Sequence, residues 1–148
     1  MKNRLDNQKA RFDFELLDRF EAGIELLGFE VKALREGRGS LEGAHVTVRG
    51  GEAFLIGATI PPYQSGNTPE SYDPMRNRRL LLGKKELASL AALESQRGLT
   101  IVPISVYNKG YKLKVEIAVA RGKKKYDKRE VTKDREAQRH IERTLKNK

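Results

Sequence analysis

Apolar and polar positions alternate along much of the first 120 residues, which is the pattern of β-strands with one buried face. Residues 45–49 read His-Val-Thr-Val-Arg and are followed by Gly50-Gly51, which supplies a tight turn. The apolar run at residues 53–60 then predicts the returning strand. Residues 99–107 and 111–120 repeat the arrangement around an Asn-Lys-Gly turn, so the chain contains at least two antiparallel hairpins.

A third pair of strands is predicted within residues 11–27, where aromatic and aliphatic side chains dominate. The triplet Glu21-Ala22-Gly23 interrupts this run, and we interpret it as a turn in which the glycine takes a positive φ. In the last hairpin, Pro103 cannot donate a ladder hydrogen bond, so its strand lies at an edge or contains a bulge. About six antiparallel strands are therefore expected.

Two segments have the spacing of helices. The first ends at Gly37 and Gly39 and places its apolar residues on one side. Those residues are Phe29, Val31, Ala33 and Leu34. The second covers residues 84–97, after the apolar residues 80–82, with Gly83 as its N-cap and Gly98 just past its end.

These elements predict a mainly β fold, a small closed antiparallel barrel of the OB type with two to three helices and a basic C-terminal tail. A half-open sandwich is the alternative that the pattern leaves open. Residues 61–76 carry four of the five prolines. A loop of that length inside a compact domain is usually functional or disordered.

Charge divides the 148-residue chain into two parts. The formal net charge is +10, and residues 121–148 contribute +7 of it, from twelve Lys or Arg and five Asp or Glu. This segment has too few apolar residues to offset the entropy lost on ordering it. We therefore predict a folded body at residues 1–121 and a basic tail at residues 122–148 that is disordered alone.

The composition excludes several classes of protein. Without cysteine there is no disulfide framework and no Cys-ligated metal site, and no apolar run is long enough for a membrane helix. The start lacks the apolar core of a signal peptide, so a cytoplasmic location is expected. His45 and His140 have no partner at ligand spacing, and no phosphate loop or nucleophile motif occurs. We predict a protein that is not an enzyme and has no membrane association, cofactor or metal.

Basic residues form clusters in the body and tail that suit a polyanionic partner. The body clusters are Arg76, Arg78 and Arg79, then Lys84 and Lys85, then Lys109, Lys112 and Lys114 beside Tyr107 and Tyr111. A helix N-terminus favours phosphate, and cations interleaved with aromatic rings suit backbone and stacking contacts with RNA. In the tail, Tyr126 stands among five Lys or Arg at residues 123–129 and can stack on a base.

Five segments, in order along nearly the whole chain, are similar to the SsrA-binding protein family, SmpB, the partner of transfer-messenger RNA in bacterial ribosome rescue. They are residues 8–14 (QKARFDF), 20–24 (FEAGI), 28–35 (GFEVKALR), 74–82 (PMRNRRLLL) and 120–129 (ARGKKKYDKR). No single segment is specific, but their joint occurrence is. The resemblance implies an OB-like barrel whose tail is disordered in free solution.

The resemblance also implies that the body holds the tRNA-like part of transfer-messenger RNA. By family position, this binding falls on Glu21 and on residues 81–83, which include Leu81 and Gly83. Physical grounds and the basic clusters add further candidate RNA-binding residues. These are Glu30, Lys32, Arg35, Arg76, Arg78, Lys84, Lys109, Lys123 and Lys124.

The tail is expected to enter the decoding region and messenger channel of the stalled ribosome as a helix. Asp127, Lys128 and Arg129 match the family's tail motif, next to Tyr126. Ala137, Ile141 and Leu145 recur every four residues, so the segment is marginally helical alone and can fold against RNA. Elongation factor Tu with GTP and alanyl-tRNA synthetase are expected to be indirect partners, through the RNA.

Three departures from the family pattern bear on these contacts. Gly83 stands where His or Asn is usual, so a side-chain contact to RNA is lost there. Tyr126 replaces a His and cannot become cationic, whereas Phe29 and Ala33 replace Thr and Ser near Glu30. The leading prediction is a non-enzymatic adaptor for trans-translation. The alternatives are a general single-strand-binding or ribosome-associated OB protein and, third, an RNA-modifying enzyme.

Overall fold

The computed structural model describes residues 3–63, 66 and 68–123. Within them, the strands are β1 (Asn3–Asp6), β2 (Phe14–Ile24), β3 (His45–Arg49), β4 (Glu52–Ile56), β5 (Arg78–Leu81), β6 (Leu99–Lys109) and β7 (Lys112–Gly122). The helices are α1 (Gln8–Asp13), α2 (Gly28–Arg35) and α3 (Lys84–Glu94). The fold is mainly β, as predicted. No helix in this described part combines the length and apolar character needed to cross a bilayer.

The sheet closes on itself. Its strands pair in the order β6-β3-β4-β5-β2-β7, and β7 pairs again with β6, all antiparallel. β1 also pairs with β6 in an antiparallel manner, with Leu5 opposite Val106. This closure confirms the OB-like barrel and excludes the half-open sandwich.

Alternation along β7 shows how the barrel separates its core from its surface. Val115, Ile117 and Val119 are at most 1% exposed, whereas the alternating residues Lys114 and Glu116 are partly exposed. Leu90 of α3 and Leu34 of α2 complete the core, again almost wholly buried. Each such side chain contributes about 1.5–3 kcal/mol relative to an exposed position.

The structure corrects the prediction for residues 11–27. They form the end of α1 and one long strand, β2, which runs through Glu21-Ala22-Gly23 without a turn. Gly23 does not have a positive φ. It lies opposite Leu81 of the neighbouring strand β5, and a Cβ on residue 23 would lie only 3.2 Å from the Cβ of Leu81. The glycine serves close packing between strands, which the sequence does not distinguish from a turn.

Strands β1 and β5 and helix α1 were not predicted. Asn7 organises the N-terminal region: its Oδ1 accepts from the backbone N–H of Ala10, and its Nδ2 donates to the carbonyl of Pro103 at 2.9 Å. Residues 80–82 are not uniformly buried, because Leu81 alternates outward and is 47% exposed.

The other turn and helix predictions agree with the structure to within a few residues. α2 ends before Gly37, and α3 begins after Gly83, although it stops at Glu94. The last hairpin turns at Gly110-Tyr111, slightly later than predicted. A register shift between Pro103 and Ser105 confirms the predicted bulge.

Candidate nucleic-acid interface

Glu30 is the centre of a buried polar cluster that joins α2, the proline-rich loop and β5. Its carboxylate accepts from the Leu27 backbone N–H at 2.7 Å and so satisfies a donor at the start of α2, where the leucine side chain cannot cap the helix. It also accepts from the Tyr72 hydroxyl at 2.8 Å and from the guanidinium groups of Arg76 and Arg78. A carboxylate offers about four lone-pair sites, so this one has no capacity left for a ligand.

The charge state of Glu30 follows from these contacts. Burial alone raises the pKa of its carboxyl group, but hydrogen bonds from Arg76, the Leu27 backbone, Arg78 and Tyr72 outweigh it and lower the pKa to about 2. Glu30 is therefore an anion at neutral pH, held in the interior by two cations.

Arg78 is as buried as its partner, and its guanidinium is fully engaged by hydrogen bonds. Besides Glu30, it donates to the carbonyls of Ala58 and Pro74 at 3.0 and 2.9 Å. The expectation that Arg78 and Glu30 contact RNA is therefore wrong: both side chains are 0% exposed. Their physical role is to fasten the proline-rich loop to the barrel.

Arg76 is partly exposed: its guanidinium pairs with Glu30, and its side chain is 30% accessible to solvent. Phe29 contacts the same cluster, with its ring against the edge of Tyr72 at a centroid distance of 4.7 Å and an interplanar angle of 90°. Phe29 thus contributes an aromatic contact to the Glu30 cluster.

Glu21 stands on the outer side of the barrel in a second carboxylate cluster. Its Oε2 accepts from the Tyr107 hydroxyl, and its Oε1 accepts from Lys109 Nζ at 2.9 Å. The hydrogen bonds from Tyr107 and Lys109 lower the pKa of Glu21, and burial together with the carboxylate raises the pKa of Tyr107. The Glu21 side chain remains 36% exposed, so this fixed anion keeps acceptor sites open to a ligand.

Leu81, Gly83 and Lys84 lie together where β5 leads into α3. Leu81 is exposed and packs over Gly23. The Gly83 N–H donates to Glu86 Oε1 at 3.2 Å, which caps the helix without a side chain at the N-cap. Lys84 is exposed in the first turn, where the helix dipole favours a phosphate.

The remaining predicted body residues are dispersed. Lys32 is exposed and lies over the Tyr63 ring at 5.8 Å, and Arg35 donates to the carbonyl of Tyr111 at 3.1 Å. Lys123 is anchored at the end of α1, where its backbone N–H donates to Asp13 O at 2.9 Å. Six predicted tail residues and Lys124 lie outside the described residues: Tyr126, Asp127, Lys128, Arg129, Ile141 and Leu145.

Sequence reasoning missed two contributions. Tyr107 was noted as an aromatic beside lysines, but its bond to Glu21 depends on strands β2, β7 and β6 lying side by side. Tyr72, in the proline-rich loop, gave no signal of its role in the Glu30 cluster. In the described residues, no three His, Asp or Glu side chains are grouped so as to hold a metal ion.

Comparisons with known proteins give a consistent result. A family model described as SmpB protein matches residues 4–147. An SsrA-binding protein of Clostridium tetani is 45% identical over 145 residues, which are 98% of this chain and 92% of the relative. Another, of Microcystis aeruginosa, is 46% identical over 141 residues, or 95% and 92% of the two chains.

A solved structure is similar in both fold and sequence. It is described as "tmRNA-SmpB: a journey to the center of the bacterial ribosome", and its matching chain is 43% identical with a TM-score of 0.69. The match covers 82% of this chain and 85% of that one. These findings confirm the resemblance predicted from sequence.

Proposed function

This chain belongs to the SmpB protein family, and from that premise we propose that it binds transfer-messenger RNA and acts with it on stalled ribosomes in trans-translation. The observation that carries the proposal is the family match over residues 4–147, which takes in the barrel and the basic tail alike. The net charge of +10 is consistent with a polyanionic partner.

We place the contact with the tRNA-like part of the RNA on the face that carries Glu21, Leu81, Gly83 and Lys84. Two properties support this choice. Glu21 is an oriented anion whose free acceptor sites can take hydrogen bonds from base or sugar donors. The exposed lysine at the start of α3 offers a phosphate site.

The tail has a separate role in this proposal. The part of the tail that lies outside the described residues, 124–148, carries ten Lys or Arg and five Asp or Glu, a net charge of +5, and in this proposal it enters the decoding region and messenger channel as a helix. Its root, Lys123, is fixed to the barrel at α1. Elongation factor Tu with GTP and alanyl-tRNA synthetase act through the RNA, and the site of action is the cytoplasm.

The chain acts as an adaptor and not as an enzyme in this proposal. A general single-strand-binding protein is the competing function, because an OB-like barrel with exposed lysines also suits unspecific RNA binding. Selectivity separates the two. A general binder loses transfer-messenger RNA to excess tRNA or single-stranded RNA, whereas a dedicated adaptor retains it.

The test is competition binding of the full chain with a labelled transcript of the tRNA-like part. We expect retention against a hundredfold excess of ordinary tRNA, and reduced retention for Glu21→Gln, which keeps shape and removes charge. Glu15→Gln is the matched control, since Glu15 is on the same strand, is 59% exposed and pairs with Arg121 at a longer 3.7 Å. Equal displacement of the labelled transcript from the wild-type chain by unlabelled transcript, ordinary tRNA and single-stranded RNA would favour the general binder.

A further inference from the structure

A groove of about 300 Å³ lies beside the Glu21 cluster, between the start of α2 and the tip of the β6–β7 hairpin. Its buried and half-buried side is apolar and includes Gly23, Ile24 and Val31. Its opposite side is the hairpin segment Tyr111 to Lys114. The groove therefore combines an apolar surface with a cationic border.

Tyr111 is presented to this groove by a fixed backbone. Gly110 has φ +63° and Tyr111 does not have a positive φ, the pattern of a two-residue type II′ hairpin loop. Arg35 of α2 donates to the Tyr111 carbonyl at 3.1 Å and so ties the tip to the helix. The Tyr111 side chain is 97% exposed, so the backbone of this residue is tied down while its ring is not used by the fold.

Two cations lie beside this ring, and the charge of one of them, Lys114, also helps to lower the pKa of Glu21. Lys112 and Lys114 follow on the same face of β7, about 7 Å apart along the strand. Neither forms an ion pair with any described residue, whereas Lys109, across the hairpin, is occupied by Glu21. A ligand that fits must bring a flat apolar face and negative charge together, which is the chemistry of a nucleotide.

We propose that this groove receives one unpaired nucleobase of RNA, stacked on Tyr111, with its neighbouring phosphates at Lys112 and Lys114. The proposal rests on the RNA-binding function above and extends the contact surface from Glu21 to the hairpin tip. Stacking of a base on an aromatic ring tolerates any base, so this site contributes affinity and selects an unpaired nucleotide. Base identity is left to other contacts.

The test compares Tyr111→Ala, Tyr111→Phe and Tyr111→Leu in the full chain. Binding to the transcript of the tRNA-like part should weaken by about 5- to 150-fold for Tyr111→Ala, the range measured for loss of one stacked base. Tyr111→Phe keeps the ring and should bind within twofold of wild type, whereas Tyr111→Leu should not restore binding. Met75→Ala is the matched control, since Met75 is an exposed apolar residue (53%) outside the groove.

Two further measurements separate stacking from charge. Abasic positions are introduced one at a time in the unpaired nucleotides of the transcript. At the position that stacks on Tyr111, Tyr111→Ala should no longer weaken binding, because the two changes delete the same contact. Lys112→Ala and Lys114→Ala should each reduce the salt slope by about 0.7, and Tyr111→Ala should leave it unchanged.

The proposal is overturned if Tyr111→Ala binds within twofold of wild type, or if Tyr111→Leu binds as well as Tyr111→Phe. Failure of the proposed function looks different: the wild-type chain would then show no preference for transfer-messenger RNA over tRNA. In that event the same variants, measured on single-stranded RNA with and without one abasic position, still decide whether the groove binds a base.

Discussion

Two carboxylates of this barrel have similar partners but differ in exposure and in remaining acceptor capacity. Glu30 and Glu21 each accept hydrogen bonds from a tyrosine hydroxyl and a cationic side chain, and the pKa of each is lowered. Glu30, however, is 0% exposed and takes six hydrogen bonds, whereas Glu21 takes two and its side chain is 36% exposed. A lowered pKa thus does not identify a binding site; the remaining acceptor capacity and exposure do.

The largest effect is expected from breaking the buried pair. Arg78→Ala leaves the Glu30 anion in the interior with fewer donors, so the free energy of unfolding should fall by about 3–5 kcal/mol, measured by urea unfolding at pH 7. Arg79→Ala is the control: Arg79 is the next residue of β5, and its pairs with Glu25 and Glu52 are exposed. That variant should lose less than about 1 kcal/mol. Equal losses would show that the Glu30 cluster does not fasten the loop.

Lowering the pH should gradually remove the stability that the ionised Glu30 carboxylate gives the fold. The pKa of Glu30 is about 2 in the folded protein and 4.5 in its unperturbed state. A depressed folded-state pKa stabilises the fold above the unfolded value and loses this effect as pH falls from about 4.5 to 2. The contribution is about 3 kcal/mol. Stability measured from pH 6 to 2.5 should therefore fall more steeply for wild type than for Glu30→Gln; parallel curves would contradict the assignment.

A smaller and purely functional effect is expected for Glu21. Tyr107→Phe removes one hydroxyl donor and no volume from the packed ring, so the carboxylate loses one of its two orienting contacts. The pKa of Glu21 should rise toward its ordinary value, and selectivity for transfer-messenger RNA over tRNA should fall roughly three- to tenfold. Carboxyl NMR titration and competition binding measure the two results. An altered pKa with unchanged selectivity would mean that Glu21 does not contact the RNA.

The smallest effect on stability is expected from removing residues 124–148. Both carboxylate clusters and the anchor of Lys123 lie in the retained part, so the thermal midpoint and selective RNA binding should be preserved. The salt slope should fall because a net +5 is lost, and tagging on stalled ribosomes should stop. Gln138→Pro sharpens the test: it keeps the charge but costs a helix about 3 kcal/mol. Normal tagging by that variant would exclude a helical tail.

Sequence predicted the parts of this molecule that depend on neighbouring residues. The Gly50-Gly51 turn, the last hairpin and the Gly83 cap are local, and all three are present. The Glu30–Arg78 pair is 48 residues apart, and neither periodicity nor charge indicates that two surface-like residue types are buried together. Contacts between distant residues also explain why the local pattern predicts a phosphate contact at Arg78 and a turn at Gly23, which the structure does not have.

Closure of the barrel by its last strand has a consequence for synthesis of the chain. Pairing of β2 with β7 joins Phe14 to Gly122, nearly the two ends of the described residues. Until β7 has been made, the edges of β2 and β6 that it covers stay unpaired, and open strand edges invite association with other chains. Closing a loop of that span also costs entropy, which the contacts between β2 and β7 must offset before the barrel closes. A nascent chain cut short before β7 is therefore prone to aggregation, in contrast to one that ends after Lys123.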